Sequence, residues 1–273
     1  MATFRTLPPL PPTAPPDPSP AADGPLLVAV HGWLLSGRLW QPLARQLEGR
    51  RQLWCPDLPG FGQRPRPRGM AANLASYGRW LAEAVRRRAA DRPVVLMGHS
   101  LGGSIALHAA CHLRGQLSGL VQVAAGGGVY QPRAFARVRQ GGVAFLRWRP
   151  GWLAELPAAA PIRSPLRADL RAARSLLASS TSRGAVRQLP LIAGQLTVPS
   201  LWIAGSRDGV MQPRYVRHLA GYSPRHRFEL LEGAGHLPMR QQPQELADRI
   251  EAWLQQEVLA SPLPSRREPS LRR

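Results

Sequence analysis

The stretch "VVLMGHSLGGSIALHAACHL", residues 94–113, places Ser100 between two glycines where one apolar segment gives way to another. The four residues before Gly98 are typical of a buried strand, whereas the apolar residues after Gly103 recur with helical spacing. The pattern G-x-S-x-G between a strand and a helix is typical of a nucleophilic serine held on a strained bend. The alternative is a tight turn without chemistry, and the rest of the chain bears on that choice.

A carboxylate and a histidine follow Ser100 at the ends of later strands. Asp208 comes directly after an apolar run at 199–205, and His236 lies in a glycine-rich loop after a run at 227–232. The chain order Ser…Asp…His is that of hydrolases whose nucleophile sits on a strand-to-helix turn. We therefore predict Ser100 as the nucleophile, His236 as its general base and Asp208 as the acid that orients the histidine.

Elimination supports this choice of acid and base. The carboxylates between Ser100 and His236 are Glu155, Asp169, Asp208, Glu229 and Glu232. Only Asp208 sits at a strand-to-loop junction, and among seven histidines only His236 follows the last strand in a loop. The competing interpretations are a turn-forming aspartate and a surface histidine.

An earlier loop supplies a third element. The run "LLVAV" at 26–30 ends in His31-Gly32-Trp33. A serine nucleophile of this kind needs a backbone N–H from such a loop, beside the N–H that follows the serine, to bind the oxyanion. Trp33 and Leu101 are the predicted donors, and their side chains are expected to play no part because the donors are main-chain groups.

Apolar runs alternate with amphipathic stretches along most of the chain. Runs typical of strands occur at 26–30, 51–57, 94–97, 117–125, 199–205 and 227–232. Helical periodicity occurs at 39–47, 71–89, 103–113, 214–220 and 243–259. This alternation predicts an α/β protein with a mostly parallel sheet covered by helices on both faces.

Residues 127–197 interrupt the alternation with helix-like sequence and no good strand. Because such a length is too long for a connection, we predict a helical cap inserted before the acid-bearing strand, between core segments 26–126 and 198–258. The segment carries eleven arginines against Glu155 and Asp169, a formal charge of +9. Its aromatic and arginine residues interleave: Tyr130, Phe135, Phe145, Trp148 and Trp152 with Arg133, Arg137, Arg139, Arg147 and Arg149. This surface is either simply solvated or docks something anionic.

The two ends of the chain differ from the core in composition. Residues 1–25 contain nine prolines and predict a disordered tail, and residues 259–273 predict a flexible basic tail. No apolar run reaches the roughly 18 to 20 residues that a membrane-spanning helix needs. The N-terminal residues also lack the apolar stretch of a secretory signal, so we expect a cytoplasmic protein.

The charge and the cysteine content narrow the class of protein further. The net charge is +20, and all 36 basic residues are arginine. They are spread along the chain without a recognisable docking motif, which argues against nucleic-acid binding and leaves only weak attraction to anionic surfaces. Cys55 and Cys111 fall in a predicted strand and a predicted helix, which is typical of buried apolar residues. No zinc-type spacing occurs, so no metal site is predicted.

Together "HGW", "DLPGFG", "GHSLGG", "GSRDGV" and "GAGHLP" resemble the α/β-hydrolase superfamily over residues 26–258. The resemblance implies an open, mostly parallel sheet, a helical cap, no cofactor and hydrolysis through an acyl-enzyme. The first two motifs are similar to those of carboxylesterases in this superfamily. The superfamily's usual N-terminal strand hairpin has no counterpart in the proline-rich tail, so we expect about six strands. The cap sequence matches no particular substrate class.

These observations predict a serine hydrolase that cleaves a carboxylic ester or thioester with an apolar group. We also predict a preference for substrates that are anionic or linked to a carrier. Other reactions of the same triad, such as C–C bond hydrolysis or perhydrolysis, stay open. A ligand-binding receptor or scaffold with little turnover is the alternative from a different class. Ser100 argues against the chemistry of dehalogenases and epoxide hydrolases, which on this fold use an aspartate at that position.

Overall fold

The computed structural model describes residues 24–126, 132–148 and 163–260. The predicted tails lie almost wholly outside these ranges, and so do Tyr130, Arg149, Trp152 and Glu155. The strands are β1 Leu26–Val30, β2 Leu53–Trp54, β3 Val94–His99, β4 Leu117–Val123, β5 Ser200–Gly205 and β6 His226–Leu231. The described helices of the core are α1 Gln41–Leu47, α2 Leu74–Ala89, α3 Leu101–Ala110, α8 Pro213–Ala220, α9 Pro238–Gln241 and α10 Pro243–Trp253.

The six strands form one parallel sheet in the order β2-β1-β3-β4-β5-β6. This confirms the predicted fold class. Parallel neighbours place all their carboxyl ends at one edge, which is where open α/β sheets present functional residues. Ser100, Asp208 and His236 follow β3, β5 and β6 at that edge.

Side-chain alternation along the strands divides the core into two layers. In β1, Leu27 and Ala29 pack with α1 and α10, while Leu26, Val28 and Val30 pack with α2 and α3. All five residues are buried, as expected for a strand covered on both faces. The apolar run that predicted this strand therefore reflects its two-sided burial.

Two predicted strands are longer than the observed ones. The strand predicted at 51–57 pairs with β1 only through Leu53 and Trp54, because it is an edge strand and Pro56 has no N–H for a ladder. The strand predicted at 117–125 ends at Val123, where Ala124 adopts a φ of +48°. The helix predicted from residue 71 begins at Leu74, because the side chain of Asn73 caps the N–H of Ser76 at 2.8 Å.

Between β4 and β5 the described residues form four helices: α4 Pro132–Trp148, α5 Arg163–Arg167, α6 Leu170–Ser180 and α7 Arg183–Gly194. Helix α4 packs on α6, and Leu146 of α4 is buried. No strand occurs among the described residues of this interval. Whether it functions as a cap stays a prediction. The side chains of Arg133 and Phe135 lie outside the described ones.

No helix in the described ranges combines the length and the apolar character needed to cross a membrane. Helix α10 continues into a single π-helical segment, Leu254–Leu259. Residue 259, predicted as the start of the basic tail, is thus the last residue of that segment, and residues 261–273 are outside the described part.

Candidate active site

Ser100 occupies a strained turn between β3 and α3. Its backbone has φ +52° and ψ −121°, a combination that residues with a Cβ rarely adopt. Its N–H donates to the carbonyl of Val123 on β4 at 3.2 Å, and its carbonyl accepts the N–H of Gly103 at 3.0 Å. Strain of this kind persists only where surrounding contacts fix it, and it is concentrated at functional sites.

The glycines of this motif allow backbones to pass close together. A Cβ on Gly98 would lie 2.4 Å from the Cα of Gly103, and one on Gly102 would lie 2.4 Å from the carbonyl oxygen of His31. Neither position can accept a side chain without moving backbone atoms. The two glycines therefore let α3 start directly behind the serine and against the end of β1.

Asp208 lies in the loop after β5, and each of its oxygens has a separate role. Oδ1 accepts the backbone N–H groups of Val210 and Met211, both at 2.8 Å. Oδ2 lies 2.9 Å from Nδ1 of His236. One oxygen thus shapes the loop that carries the residue, and the other is directed at the histidine.

His236 lies in the loop between β6 and α9. The side chain of Asp208 is fully buried and that of His236 is 24% exposed, so the carboxylate is shielded from water while the imidazole can be reached. Because Asp208 holds Nδ1–H, the other ring nitrogen, Nε2, is free of a proton in the neutral imidazole. This is the tautomer that a general base requires.

His99 connects the loop of His236 to the serine turn. Its Nε2–H donates to the backbone carbonyl of His236 at 2.8 Å, and the two rings lie 4.8 Å apart between centroids. His236 therefore contacts the residue that directly precedes the predicted nucleophile. Nothing in the sequence pattern indicates this contact, because it joins residues 137 positions apart in the chain.

Burial is the main reason that His99 is neutral. It lowers the pKa of His99 to about 3, and the charge of the neighbouring His236 acts in the same direction. The single ring proton therefore lies on Nε2, where it meets the carbonyl of His236. Nδ1 is buried and has no hydrogen-bond partner within the described part of the chain.

The two predicted oxyanion donors belong to backbone segments next to the serine. Leu101 is the first residue of α3, and N–H groups in the first turn of a helix have no partner within the helix. Trp33 follows Gly32, where an added Cβ would lie 3.3 Å from the Cβ of Ser100. The loop after β1 therefore passes directly beside the serine.

Two polar side chains that the sequence analysis did not assign hold this loop in place. His31 is fully buried, donates from Nδ1 to the carbonyl of Gly32 at 2.8 Å and accepts the N–H of Leu58 at Nε2 at 3.0 Å. Asp57 accepts the N–H groups of Gly37 at 2.7 Å and Gln63 at 2.8 Å. The "DLPGFG" motif thus anchors the loop that carries Trp33.

The arrangement contains the groups that nucleophilic acyl transfer uses: a serine, a histidine and a carboxylate. Within the described ranges, no three side chains of His, Cys, Asp or Glu lie together so that they could hold a metal ion. The other histidines lie elsewhere: His108 is on α3, His218 on α8 and His226 at the start of β6. The elements bring a strained serine, a hydrogen-bonded acid and base, and two backbone segments to one edge of the sheet.

Comparison with known proteins identifies the family. The model of the alpha/beta hydrolase family matches residues 27–249. A pimeloyl-(acyl-carrier protein) methyl ester esterase of Xanthomonas axonopodis pv. citri (strain 306) is 34% identical over 252 residues, which cover 85% of this chain and 95% of that protein. The enzyme of the same name from Xylella fastidiosa (strain M23) is 29% identical over 271 residues, covering 85% of this chain and 95% of that protein.

A solved structure leads to the same family. A thermophilic esterase from Thermogutta terrifontis superposes with a TM-score of 0.69 and 25% sequence identity, covering 86% of this chain and 90% of that chain. These findings confirm the resemblance that the five sequence motifs indicated. The chain belongs to the alpha/beta hydrolase family.

Proposed function

We propose that this protein hydrolyses a carboxylic ester through an acyl-enzyme on Ser100. The observation that carries the proposal is the 2.9 Å hydrogen bond between Asp208 and His236, at the sheet edge where Ser100 has a φ of +52°. An esterase among the solved structures and esterases among the relatives support the same reaction.

In this mechanism His236 Nε2 takes the proton of the Ser100 hydroxyl as Oγ attacks the ester carbonyl. Asp208 keeps Nδ1 protonated and stabilises the imidazolium that forms. The backbone N–H groups of Trp33 and Leu101 hold the oxyanion of the tetrahedral intermediate. His236 returns the proton to the leaving alcohol, and a water molecule activated by His236 then releases the acid and restores Ser100.

We further propose that residues 127–197 form a cap over this site and that the substrate is linked to an acidic carrier. The relatives named above are esterases of a carrier-bound acyl methyl ester. Helix α4 has no acidic residue, and its described arginines, Arg137, Arg139 and Arg147, are exposed. Exposed Phe145 and Trp148 lie on the same helix. Arginine can attract an acidic carrier, and an apolar surface can receive the acyl chain.

The free thiols of Cys55 and Cys111 fit a reducing compartment such as the cytoplasm. The basic surface is proposed to serve a carrier or substrate rather than nucleic acid, because no docking motif accompanies the charge.

The decisive experiment combines covalent labelling with steady-state turnover. A fluorophosphonate should label the wild type on Ser100 and should not label Ser100→Ala. The wild type should hydrolyse p-nitrophenyl esters in a series of acyl lengths, and Ser100→Ala should lose roughly 10⁴-fold or more in kcat. Labelling without turnover across the series would instead indicate a receptor. Retention of more than about a tenth of the activity in Ser100→Ala would remove Ser100 from the mechanism.

A further inference from the structure

The side chain of Trp33 packs against the core and lies between two helices of the 127–197 segment. Its indole Nε1–H donates to the carbonyl of Ala173 on α6 at 2.9 Å. The far edge of the ring faces Gly142 on α4, where an added Cβ would lie 2.8 Å from Trp33 and 2.9 Å from Leu177. The ring therefore fills a space that exists because residue 142 has no side chain.

The backbone around Trp33 is strained. Leu34 has a φ of +60°, and the turn is closed by a hydrogen bond from Leu35 N–H to the carbonyl of Gly32 at 3.3 Å. A leucine in this left-handed region is unfavourable, because its Cβ crowds the following carbonyl. Such a turn keeps its conformation only when contacts outside it fix the geometry. His31 supplies one contact through Leu58, and the indole of Trp33 supplies another.

This turn is close enough to Ser100 for small movements to matter. An added Cβ on Gly32 would lie 2.8 Å from Nδ1 of His99 and 3.3 Å from the Cβ of Ser100. An oxyanion donor works when it lies about 2.7–3.1 Å from the developing charge. A displacement of the turn by a few tenths of an ångström would therefore change the stabilisation of the transition state.

Helix α6, which accepts the indole hydrogen bond, is itself fixed to the core. The N–H of Asp169 donates to the carbonyl of Gly60 at 2.7 Å, and the N–H of Leu74 donates to Oγ of Ser179 at 3.3 Å. Helix α4 packs against α6 on the other side of the indole. The ring of Trp33 is thus held between a fixed helix and the helix that carries the exposed arginines.

We propose that Trp33 is a positioning residue whose indole transmits the position of α4 to its own backbone N–H in the oxyanion hole. This proposal rests on the proposed function. When α4 is seated against the ring, the strained turn keeps the donor directed at the oxyanion. When α4 is displaced, the ring moves and the donor loses its alignment. Binding at the cap thereby changes the rate of the chemical step and not only the affinity for substrate.

The chain offers a matched pair of variants in α4. A Cβ added to Gly142 meets Trp33, whereas one added to Gly141 meets no atom within 4 Å. Both changes replace glycine by alanine in the same helix, so both raise helix propensity equally. Only Gly142→Ala presses on the indole. Trp33→Phe is the complementary variant, because it keeps a ring but removes the N–H donor.

We expect Gly142→Ala and Trp33→Phe to lower kcat by about tenfold and to change KM by less than about twofold. Deleting an oxyanion donor lowers kcat by about 10²–10³, and a donor that is only misaligned should lower it less. Binding of a trifluoromethyl ketone, whose adduct with serine carries an oxyanion, should weaken by the same factor. Gly141→Ala should match the wild type in both measurements. If Gly142→Ala stays within about twofold of Gly141→Ala, or Trp33→Phe within about twofold of the wild type, the proposal is wrong.

Amide hydrogen exchange tests the coupling between α4 and the turn at residues 31–36 independently of turnover. The backbone N–H groups of residues 31–36 should exchange faster in Gly142→Ala and Trp33→Phe than in Gly141→Ala and the wild type. Equal exchange in all four proteins would overturn the coupling. A wild type that neither hydrolyses esters nor reacts with the ketone would overturn the proposed function instead, and the exchange measurement would still test whether α4 controls the turn.

Discussion

His99 Nε2–H lies 2.8 Å from the backbone carbonyl oxygen of His236, so the residue before Ser100 holds the loop that carries His236. The imidazole of His99 is nearly fully buried against Trp40, with ring centroids 6.5 Å apart. It therefore has little room to rotate away from this carbonyl. The bond sets the distance between the β3 turn and the β6 loop, which no sheet hydrogen bond joins directly, because β4 and β5 lie between them.

Two variants of His99 distinguish the role of its N–H donor from that of its aromatic ring. His99→Phe keeps an aromatic ring but leaves the carbonyl of His236 without its donor, and we expect kcat to fall about tenfold. An unsatisfied buried group costs about 1–3 kcal/mol, which is enough to shift the loop. His99→Gln, whose amide nitrogen can reach the same place, should lose less. Steady-state kinetics on one ester checks this, and equal losses in the two variants would contradict a role for the donor.

Asp208→Asn should reduce kcat by about 10³–10⁴ while the protein stays folded. The amide oxygen can still accept the N–H groups of Val210 and Met211, so the loop is retained. The amide nitrogen, however, donates toward His236 and favours the tautomer in which Nε2 carries the proton. That tautomer cannot accept the proton of Ser100.

Kinetics and thermal unfolding together check this prediction. Asp208→Ala is the comparison, because it removes both loop hydrogen bonds and should lower the unfolding temperature as well as kcat. Near wild-type activity in Asp208→Asn would exclude Asp208 as the orienting acid.

The positions of Ser100, Asp208 and His236 could be predicted because each follows a strand, and parallel strands bring their carboxyl ends together. A local pattern was sufficient for that inference. The contacts of His99, His31 and the indole of Trp33 could not be predicted in the same way. Each joins residues far apart in the chain, such as Trp33 and Ala173, which are 140 positions apart.

The ends of the strands also could not be predicted from a local sequence pattern. The run at 51–57 is apolar enough for a strand, but its observed length depends on whether a neighbour is available for pairing. Only Leu53 and Trp54 meet β1, and no second neighbour exists in the described sheet. Pairing is a property of the assembled sheet and is not encoded in the run itself.

Acid should destabilise the protein partly through His108. Burial lowers the pKa of His108 to about 4, and its neighbour His112 acts in the same direction. In the unfolded chain the pKa of His108 is near 6.5. Between about pH 6.5 and pH 4, His108 is therefore protonated in the unfolded chain and neutral in the folded chain. The contribution to stability is complete above this window and is lost as the pH falls through it.

His108→Gln should flatten this dependence. Between pH 7 and pH 4.5 the wild type should lose about 2 kcal/mol more than the variant. Denaturant unfolding at the two pH values measures the difference. His226→Gln is the control, because His226 is exposed at the start of β6. A pH dependence unchanged by His108→Gln would show that His108 does not titrate in this range.

The arginines of α4 should govern salt dependence if the substrate is carrier-linked. Arg139 and Arg147 are exposed, and the guanidinium of Arg147 lies 5.8 Å from the ring of Trp148. Long-range attraction is screened by salt, with a Debye length of about 10 Å at 0.1 M. For a methyl ester on an acidic acyl carrier, kcat/KM should therefore fall as salt rises from about 20 to about 500 mM. The same acyl ester on a small neutral thiol should barely respond.

The double variant Arg139→Glu, Arg147→Glu should remove most of this salt dependence. It should also lower kcat/KM for the carrier-bound ester by about tenfold or more, because reversing the charge turns attraction into repulsion. Its effect on the neutral ester should be less than about twofold. Arg45→Glu, Arg88→Glu is the matched control, because it changes net charge equally at exposed positions on α1 and α2. If the two double variants respond alike, only the total charge matters, and α4 is a solvated surface. If the carrier-bound and neutral esters respond alike to salt in the wild type, no acidic carrier is recognised there.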